Sequence, residues 1–194
     1  MTSPFTLSSY YKKAFSGITL AGDVLKNKEF EECRFEKMSL TDCQLNQCKF
    51  INCTFDNSIL SAIKPVNSSF SEIKFMDSKV IGFDWTLAKR VDSLSFTNSQ
   101  INYSNFRFLK LQKLKLINCI AKEADFTEAD LKDSDFSGTD FEGARFFKTN
   151  LKGSNFKKAK NYFIDIKTNT ITKAQFSFPE AINLLKSLAI TIVY

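Results

Sequence analysis

The chain has 194 residues, of which 43% are hydrophobic and 14% aromatic, and its formal net charge is +6 at pH 7. This length allows one domain with a sizeable core, and no apolar run approaches the ~18 residues of a membrane-spanning helix. Histidine is absent, which excludes Ser-His and Cys-His catalytic pairs and imidazole-bearing zinc sites. The polar start MTSPFTLSSYYKK has no signal-peptide core, so we expect a cytoplasmic location without membrane contact.

From residue 20 onward, a large apolar residue recurs at every fifth position, with a small residue two places before it. The stretch EADFTEADLKDSDF (123–136) shows both features. A helix needs recurrence every three to four residues and a strand every two, so a step of five fits neither. The step predicts a repeat over residues 20–160, preceded by an N-terminal cap of residues 1–19.

Similar side chains also recur at twenty residues, as Phe35, Phe55 and Phe75 do. Four five-residue steps therefore make one coil, and coils that hydrogen-bond to one another at roughly 4.8 Å build a solenoid. We predict about seven coils, whose narrow interior takes one large and one small side chain on each side. The predicted phenylalanine column consists of Phe35, Phe55, Phe75, Phe96, Phe136 and Phe156. Such a filled interior leaves no pocket, so we expect no catalytic residues, no cofactor and no enzymatic activity.

The repeat becomes irregular near its middle. Pro65 replaces a large apolar residue and cannot donate a ladder hydrogen bond, and Phe83 is oversized for the small slot. One extra residue between Trp85 and Val91 predicts a bulge. This irregular face is either a tolerated defect or a binding site. Its residues are Pro65, Phe83, Trp85, Lys89 and Arg90.

All the cysteines occupy the small slot, at Cys33, Cys43, Cys48, Cys53 and Cys119. Metal motifs usually pair cysteines two to four residues apart and add a second pair or histidines. That spacing is absent here, whereas cysteine as a small buried hydrophobe explains every position. We therefore expect buried, reduced thiols and no bound metal.

The repeat itself resembles a known family. A small residue, Asp or Asn, Leu or Phe and two variable residues form the motif of the pentapeptide-repeat proteins, and ADFTEADLKDSDF (124–136) carries it with little departure. The resemblance covers roughly residues 20–160. It implies the family fold, an all-β right-handed quadrilateral β-helix.

The last segment, residues 161–194, leaves the repeat. In it SFPEAINLLKSL (177–188) predicts a helix with Ser177 as N-cap and Glu180 completing a capping box, and AITIVY (189–194) has strand composition. Such an ending resembles the quinolone-resistance (Qnr) proteins and their microcin-immunity relatives.

That resemblance implies a rod that binds type II topoisomerases (DNA gyrase and topoisomerase IV) by mimicking DNA, and a homodimer joined through the C-terminus. The alternative is a tail that folds back on its own chain. The corresponding dimer-interface residues are Leu184, Leu188, Ile190, Ile192 and Tyr194.

The charges are banded along the sequence. Asp125, Asp130, Asp135 and Asp140 fall one to a side on a single coil and predict an acidic belt between the basic stretches 107–115 and 145–160. DNA mimicry needs an acidic stripe along the rod, which a belt does not supply. We expect no nucleic acid as a partner, because the belt divides the basic bands and no aromatic residue is expected to face outward among them. The sequence therefore predicts a non-enzymatic protein-binding rod, or alternatively a Qnr-like protein that confers quinolone or microcin resistance.

Overall fold

The computed structural model describes residues 4–188 and residue 190. Most of this range winds into a parallel β-solenoid of about eight turns, one more than the sequence predicts. Paired strands reach from Ser9 to Phe176, so the coil extends beyond residues 20–160 at both ends. The predicted twenty-residue repeat is confirmed, because Phe55 pairs with Phe35 on one side and with Phe75 on the other.

The strands are two or three residues long. They are β1 (Ser9–Tyr11), β2 (Ala14–Ser16), β3 (Thr19–Ala21), β4 (Val24–Lys26), β5 (Glu29–Glu31), β6 (Arg34–Glu36), β7 (Ser39–Thr41), β8 (Gln44–Asn46), β9 (Lys49–Ile51), β10 (Thr54–Asp56), β11 (Ile59–Ser61), β12 (Ser69–Ser71), β13 (Lys74–Met76), β14 (Lys79–Ile81), β15 (Arg90–Asp92), β16 (Ser95–Thr97), β17 (Lys115–Ile117), β18 (Asn155–Phe156) and β19 (Gln175–Phe176). Trp85–Leu87 and Glu180–Leu188 form 3-10 helices.

The strands stack into parallel sheets, one for each five-residue step. The first sheet has the order β1-β5-β9-β12-β15, and the second has the order β17-β16-β13-β10-β6-β2 and resumes with the pair β18-β19. The third sheet has the order β14-β11-β7-β3 and the fourth contains β4 and β8. Beyond these strands the ladder continues as single bridges between tight turns, such as Lys110↔Asp130 and Asp130↔Asn150.

Corners separate the steps, and most are made by a residue in the left-handed region. The φ angle is +68° at Gly17 and +53° at Asp42, each two places after a large apolar residue. All six glycines of the chain lie at such corners. Glycine adopts this conformation without strain, and Asn and Asp tolerate it better than other residues.

The interior is the predicted stack of rings. Centroid distances along the column are 4.6 Å for Phe35–Phe55, 5.1 Å for Phe55–Phe75, 4.8 Å for Phe75–Phe96 and 4.9 Å for Phe136–Phe156. A second column runs beside it, with Phe50 stacked 5.0 Å from Phe30 and 5.1 Å from Phe70. The predicted phenylalanine column is therefore confirmed as packed core.

The small slot holds polar side chains whose hydrogen bonds are satisfied. Ser58 Oγ accepts from the Met38 N–H at 3.1 Å and donates to the Asp56 carbonyl at 2.8 Å. In the next coil Ser78 Oγ accepts from the Ser58 N–H at 3.0 Å. Hydroxyls can therefore be buried in the column without leaving an unpaired donor or acceptor.

Each end of the rod is covered by an aromatic side chain. At the N-terminal end, the Phe5 ring is buried and its centroid lies 5.2 Å from that of Phe30. At the C-terminal end, Tyr162 is buried 5.7 Å from Phe176, and Leu184 packs against the core. Burial, with a smaller contribution from the Glu180 charge, raises the pKa of Tyr162 to about 12.

The predicted N-cap at Ser177 is wrong. Its hydroxyl accepts the Lys158 N–H of the preceding coil at 2.9 Å, and the 3-10 helix begins at Glu180. In earlier steps a corner N–H donates to the residue nineteen places later, as the Gly153 N–H does to the Thr172 carbonyl. Lys158 has Ser177 at that position, so its N–H takes the hydroxyl that was expected to cap the helix. No helix among the described residues is long and apolar enough to span a membrane.

Candidate functional site

The interior is filled mainly by apolar side chains. The narrow space inside the coil is lined by apolar side chains, among them Leu25, Phe30 and Met38. Across residues 4–188 and 190, no three Asp, Glu or Cys side chains converge as metal ligands.

The cysteines are buried and free, as predicted. Burial raises the pKa of Cys53 to about 12 and that of Cys119 to about 11. Both thiols therefore stay protonated at neutral pH, and a protonated thiol is a poor nucleophile and a poor metal ligand.

The predicted bulge is confirmed near the middle of the rod. The N–H groups of Lys89 and Arg90 both donate to the Ser68 carbonyl, at 2.8 and 3.4 Å, so two residues oppose one. Before it, the Trp85–Leu87 helix is capped by Asp84, whose Oδ1 accepts the Thr86 N–H at 3.1 Å. The extra residue is therefore absorbed by a hydrogen-bonded turn.

The structure does not bring the five residues of the irregular face to one surface. Phe83 and Trp85 are fully buried, with ring centroids 3.9 Å apart, and Pro65 is buried in the preceding coil. Lys89 and Arg90 are exposed, and Arg90 Nε pairs with Asp92 at 2.6 Å. The burial of the large side chains fits a tolerated defect in the repeat. A binding site on this face stays a prediction.

The predicted dimer interface is described in part. Leu184 packs against its own core, Leu188 is half-buried, and Ile190 is 54% exposed. Ile192 and Tyr194, and the strand expected over residues 189–194 apart from residue 190, lie outside the described residues. The dimer stays a prediction.

The aspartates of the acidic belt also hold the turns of the coil. Oδ1 of Asp130 accepts the Lys132 N–H at 3.3 Å and the Asn150 side-chain amide at 2.8 Å. Oδ1 of Asp135 makes the equivalent bonds to the Ser137 N–H at 3.1 Å and to Asn155 at 2.9 Å. These carboxylates therefore stabilise adjacent coils, as residues of the repeat motif would.

Each aspartate of the belt has a basic residue in register in an adjacent coil. The pairs are Lys110↔Asp130, Lys115↔Asp135, Asp125↔Arg145 and Asp140↔Lys160. Lys160 Nζ lies 3.9 Å from Asp140 Oδ2. The surface is therefore banded around the belt, and no acidic stripe crosses it among the described residues.

The third sheet is almost uncharged, in contrast to the first sheet. Its outward residues are Thr19, Ala21, Ser39, Thr41, Ile59, Ser61, Lys79 and Ile81. Of these eight, Lys79 alone carries a charge, whereas the first sheet presents Glu29, Glu31 and Lys49 in two neighbouring strands. We call these eight residues the low-charge face, a feature that a reading of the sequence at twenty-residue spacing could have found.

The expectation that no aromatic residue faces outward among the basic bands is wrong. Phe108 is 61% exposed beside Arg107, and Phe147 is 43% exposed beside Lys148. Both rings lie outside the two inward positions of their repeats, so the phase of the repeat places them on the surface. The presence of Phe at these outward positions was the overlooked signal.

Comparison with known proteins supports the repeat fold. The family model for pentapeptide repeats matches with 8 copies, in residues 29–62, 110–146 and 124–160. No curated protein sequence matches significantly. A trypsin-treated variant of QnrB1, a plasmid-mediated fluoroquinolone resistance protein, has a similar structure with TM-score 0.69 and 18% identity, covering 93% of this chain and 100% of that one. A second trypsin-treated QnrB1 variant gives TM-score 0.56 and 18% identity over 92% and 99% of the two chains.

At this identity the likeness to QnrB1 concerns the fold. The matched repeats, the twenty-residue register and the stacked phenylalanines describe one architecture. Residues 29–62 and 110–160 of this chain carry the repeat of the pentapeptide-repeat family.

Proposed function

We propose that this chain is a non-enzymatic protein-binding rod and that its partner is a protein with a flat, weakly charged surface that docks on the low-charge face. The near absence of charge on this sheet is the observation that carries the proposal. Charged residues are depleted at the centre of protein interfaces, because burying an unpaired charge is costly.

The low-charge face is also suited to docking by its shape. Leu40, Leu60 and Val80 anchor successive strands from inside, so the outward residues stand on a parallel sheet in fixed register. Small side chains such as Ser61 alternate with Ile59, which is 42% exposed. A partner would meet a preformed surface and would lose little conformational entropy in binding it.

A pair of matched variants tests this proposal. Ile81→Arg places a charge on the low-charge face, whereas Ile51→Arg makes the same change at the equivalent outward position of the first sheet. In affinity capture from native cytosol, the partner should remain bound to the wild-type protein and to Ile51→Arg and should be lost with Ile81→Arg. Equal retention by both variants would refute the assignment of this face.

Two structural features belong to the same proposal. We propose that the coil follows the right-handed, quadrilateral path of the family. We also propose that the described residues before β1 and after β19, residues 4–8 and 177–188, close its ends. We further propose a two-fold dimer joined through the C-terminal segment, supported by the exposed side chain of Ile190. Five buried free thiols suit a reducing compartment, which supports the cytoplasm as the location.

A second candidate function is Qnr-like binding of type II topoisomerase. The structural likeness to QnrB1 supports it, whereas the banded charges oppose DNA mimicry. Purified protein should be titrated into gyrase and topoisomerase IV assays with and without a fluoroquinolone. Relief of inhibition at micromolar concentration would establish this function, and its absence in both assays would exclude it.

A further inference from the structure

The net positive charge of the protein is concentrated at one end. Residues 145–173, here called the basic end, contain eight basic residues and one acidic residue, a net charge of +7, while the whole chain carries +6. The rest of the chain therefore has a net charge of −1. The basic residues are Arg145, Lys148, Lys152, Lys157, Lys158, Lys160, Lys167 and Lys173.

These cations are exposed and mostly unpaired. All eight side chains belong to exposed residues, and within the described part of the chain only Lys160 forms an ion pair, with Asp140. They occur in two successive coils and repel one another. A bound polyanion would relieve that repulsion and would be attracted from a distance.

Two exposed phenylalanines lie among these cations. Phe147 is 43% exposed and Phe163 is 55% exposed, and both line a surface groove that also contains Arg145 and Thr168. Lys148 Nζ lies 5.4 Å from the centroid of the Phe147 ring. The groove therefore combines aromatic faces with positive charge.

The fold holds both rings outward. Phe147 follows Phe146, whose ring is stacked in the interior 5.2 Å from that of Phe126. Phe163 lies between Tyr162 and Ile164, both of which are buried. Neither exposed ring can turn inward without displacing a core residue.

One acid also lines the groove. The Asp165 carboxylate accepts the Lys167 N–H at 2.8 Å, so it is engaged in its own turn. Arg145 lines the groove with this acid, and Lys148 and Lys167 are the sequence neighbours of the groove residues Phe147 and Thr168.

We propose that the basic end binds single-stranded nucleic acid, with Phe147 and Phe163 stacking on bases and with Arg145, Lys148 and Lys167 contacting phosphates. Cations that follow the backbone and aromatic faces that stack on bases are the two components of single-strand recognition. A duplex offers no unstacked base to these two rings. An acidic protein or an anionic lipid would bind the cations but would not need the two exposed rings. This surface is separate from the low-charge face, and the inference goes beyond the protein-binding function.

The electrostatic half of the proposal is tested by fluorescence anisotropy with a labelled oligothymidylate of about 20 nucleotides, longer than the site of a typical single-strand-binding module. The double variant Lys148→Glu/Lys167→Glu should weaken binding at least tenfold. The plot of the logarithm of the association constant against the logarithm of the salt concentration has a negative slope, and the double variant should make it shallower by about 1.4. Each of the two phosphates that these lysines neutralise contributes about 0.7 to the steepness of that slope. The matched control, Lys26→Glu/Lys64→Glu, makes the same charge change at exposed positions in earlier coils. If the two double variants weaken binding equally, net charge alone accounts for it and the proposal is overturned.

The aromatic half is tested in the same assay. Phe147→Ala and Phe163→Ala should each raise the Kd about fivefold or more, because stacking is worth about 1–3 kcal/mol per base. Phe108→Ala, which removes an equally exposed ring outside the basic end, should change it less than twofold. Competition by polyglutamate or by phosphatidylserine vesicles, together with unchanged binding by both alanine variants, would identify a protein or a membrane as the occupant and would overturn the proposal.

Discussion

Replacing Phe75 with alanine removes one ring from the middle of the column. Phe75 is 1% exposed, and its ring lies 5.1 Å from that of Phe55 and 4.8 Å from that of Phe96, with Trp85 edge-on at 6.1 Å. The coils above and below are fixed by ladder bonds such as Lys74 N–H to the Cys53 carbonyl at 3.0 Å, so the void cannot close by collapse. We therefore expect a loss near the upper end of the 3–5 kcal/mol that emptying a buried phenylalanine site costs, since two stacked pairs disappear as well.

Urea unfolding followed by Trp85 fluorescence and by far-UV circular dichroism measures this loss, and coincident transitions would show that unfolding is two-state. For a chain of this size, 4 kcal/mol corresponds to a fall in Tm of about 8–16 °C. The control is Phe108→Ala, which removes a 61% exposed ring and should change stability by about 0.5 kcal/mol or less. A loss below about 1 kcal/mol for Phe75→Ala would refute the account of the column as packed core.

Two further predictions concern the thiols and the C-terminus. Because burial holds the pKa of Cys119 near 11, the folded state keeps the proton that the unfolded thiol loses near pH 9, so stability should fall as pH rises from 8 to 10 by about 1.4 kcal/mol for this residue. Urea midpoints for Cys119→Ala should show a correspondingly flatter alkaline dependence, and equal slopes for variant and wild type would contradict the assignment. Deleting residues 190–194 should convert the proposed dimer to a monomer by light scattering at micromolar concentration. A monomeric full-length protein, or a truncated protein that stays dimeric, would contradict the C-terminal interface.

The interior could be predicted from sequence because two positions in every five point inward. The five-residue recurrence of large residues and the twenty-residue recurrence of like residues leave one arrangement, in which Phe35, Phe55 and Phe75 stack. The left-handed corners had a signal too, since every glycine lies two places after a large residue, as Gly17 and Gly138 do. Glycine in one phase of a repeat marks a backbone position that other residues adopt at a cost.

The surface could not be predicted in the same way. The Ser177 hydroxyl could accept a hydrogen bond either from the helix that follows it or from the neighbouring coil. It accepts the Lys158 N–H of the neighbouring coil, a partner that the local sequence cannot specify. The outward direction of Phe147 followed from the inward direction of Phe146. Apolar character alone predicts burial, and only the phase of the repeat shows which of two adjacent phenylalanines is exposed.

This division between inward and outward positions explains how a chain with 18% identity to QnrB1 has the same fold. The coil requires a large and a small side chain at the inward positions and a tolerated corner residue, so the outward positions can change without altering the register. Vertical neighbours on the surface are then residues twenty apart, such as Ser39 and Ile59, or Asp140 and Lys160. The low-charge face is a column of such neighbours, whereas the basic end consists of successive residues around the coil. The low-charge face and the exposed side chains of the basic end share no residue with the buried core. One coil can therefore carry a surface for a protein along its side and a surface for a polyanion at its end.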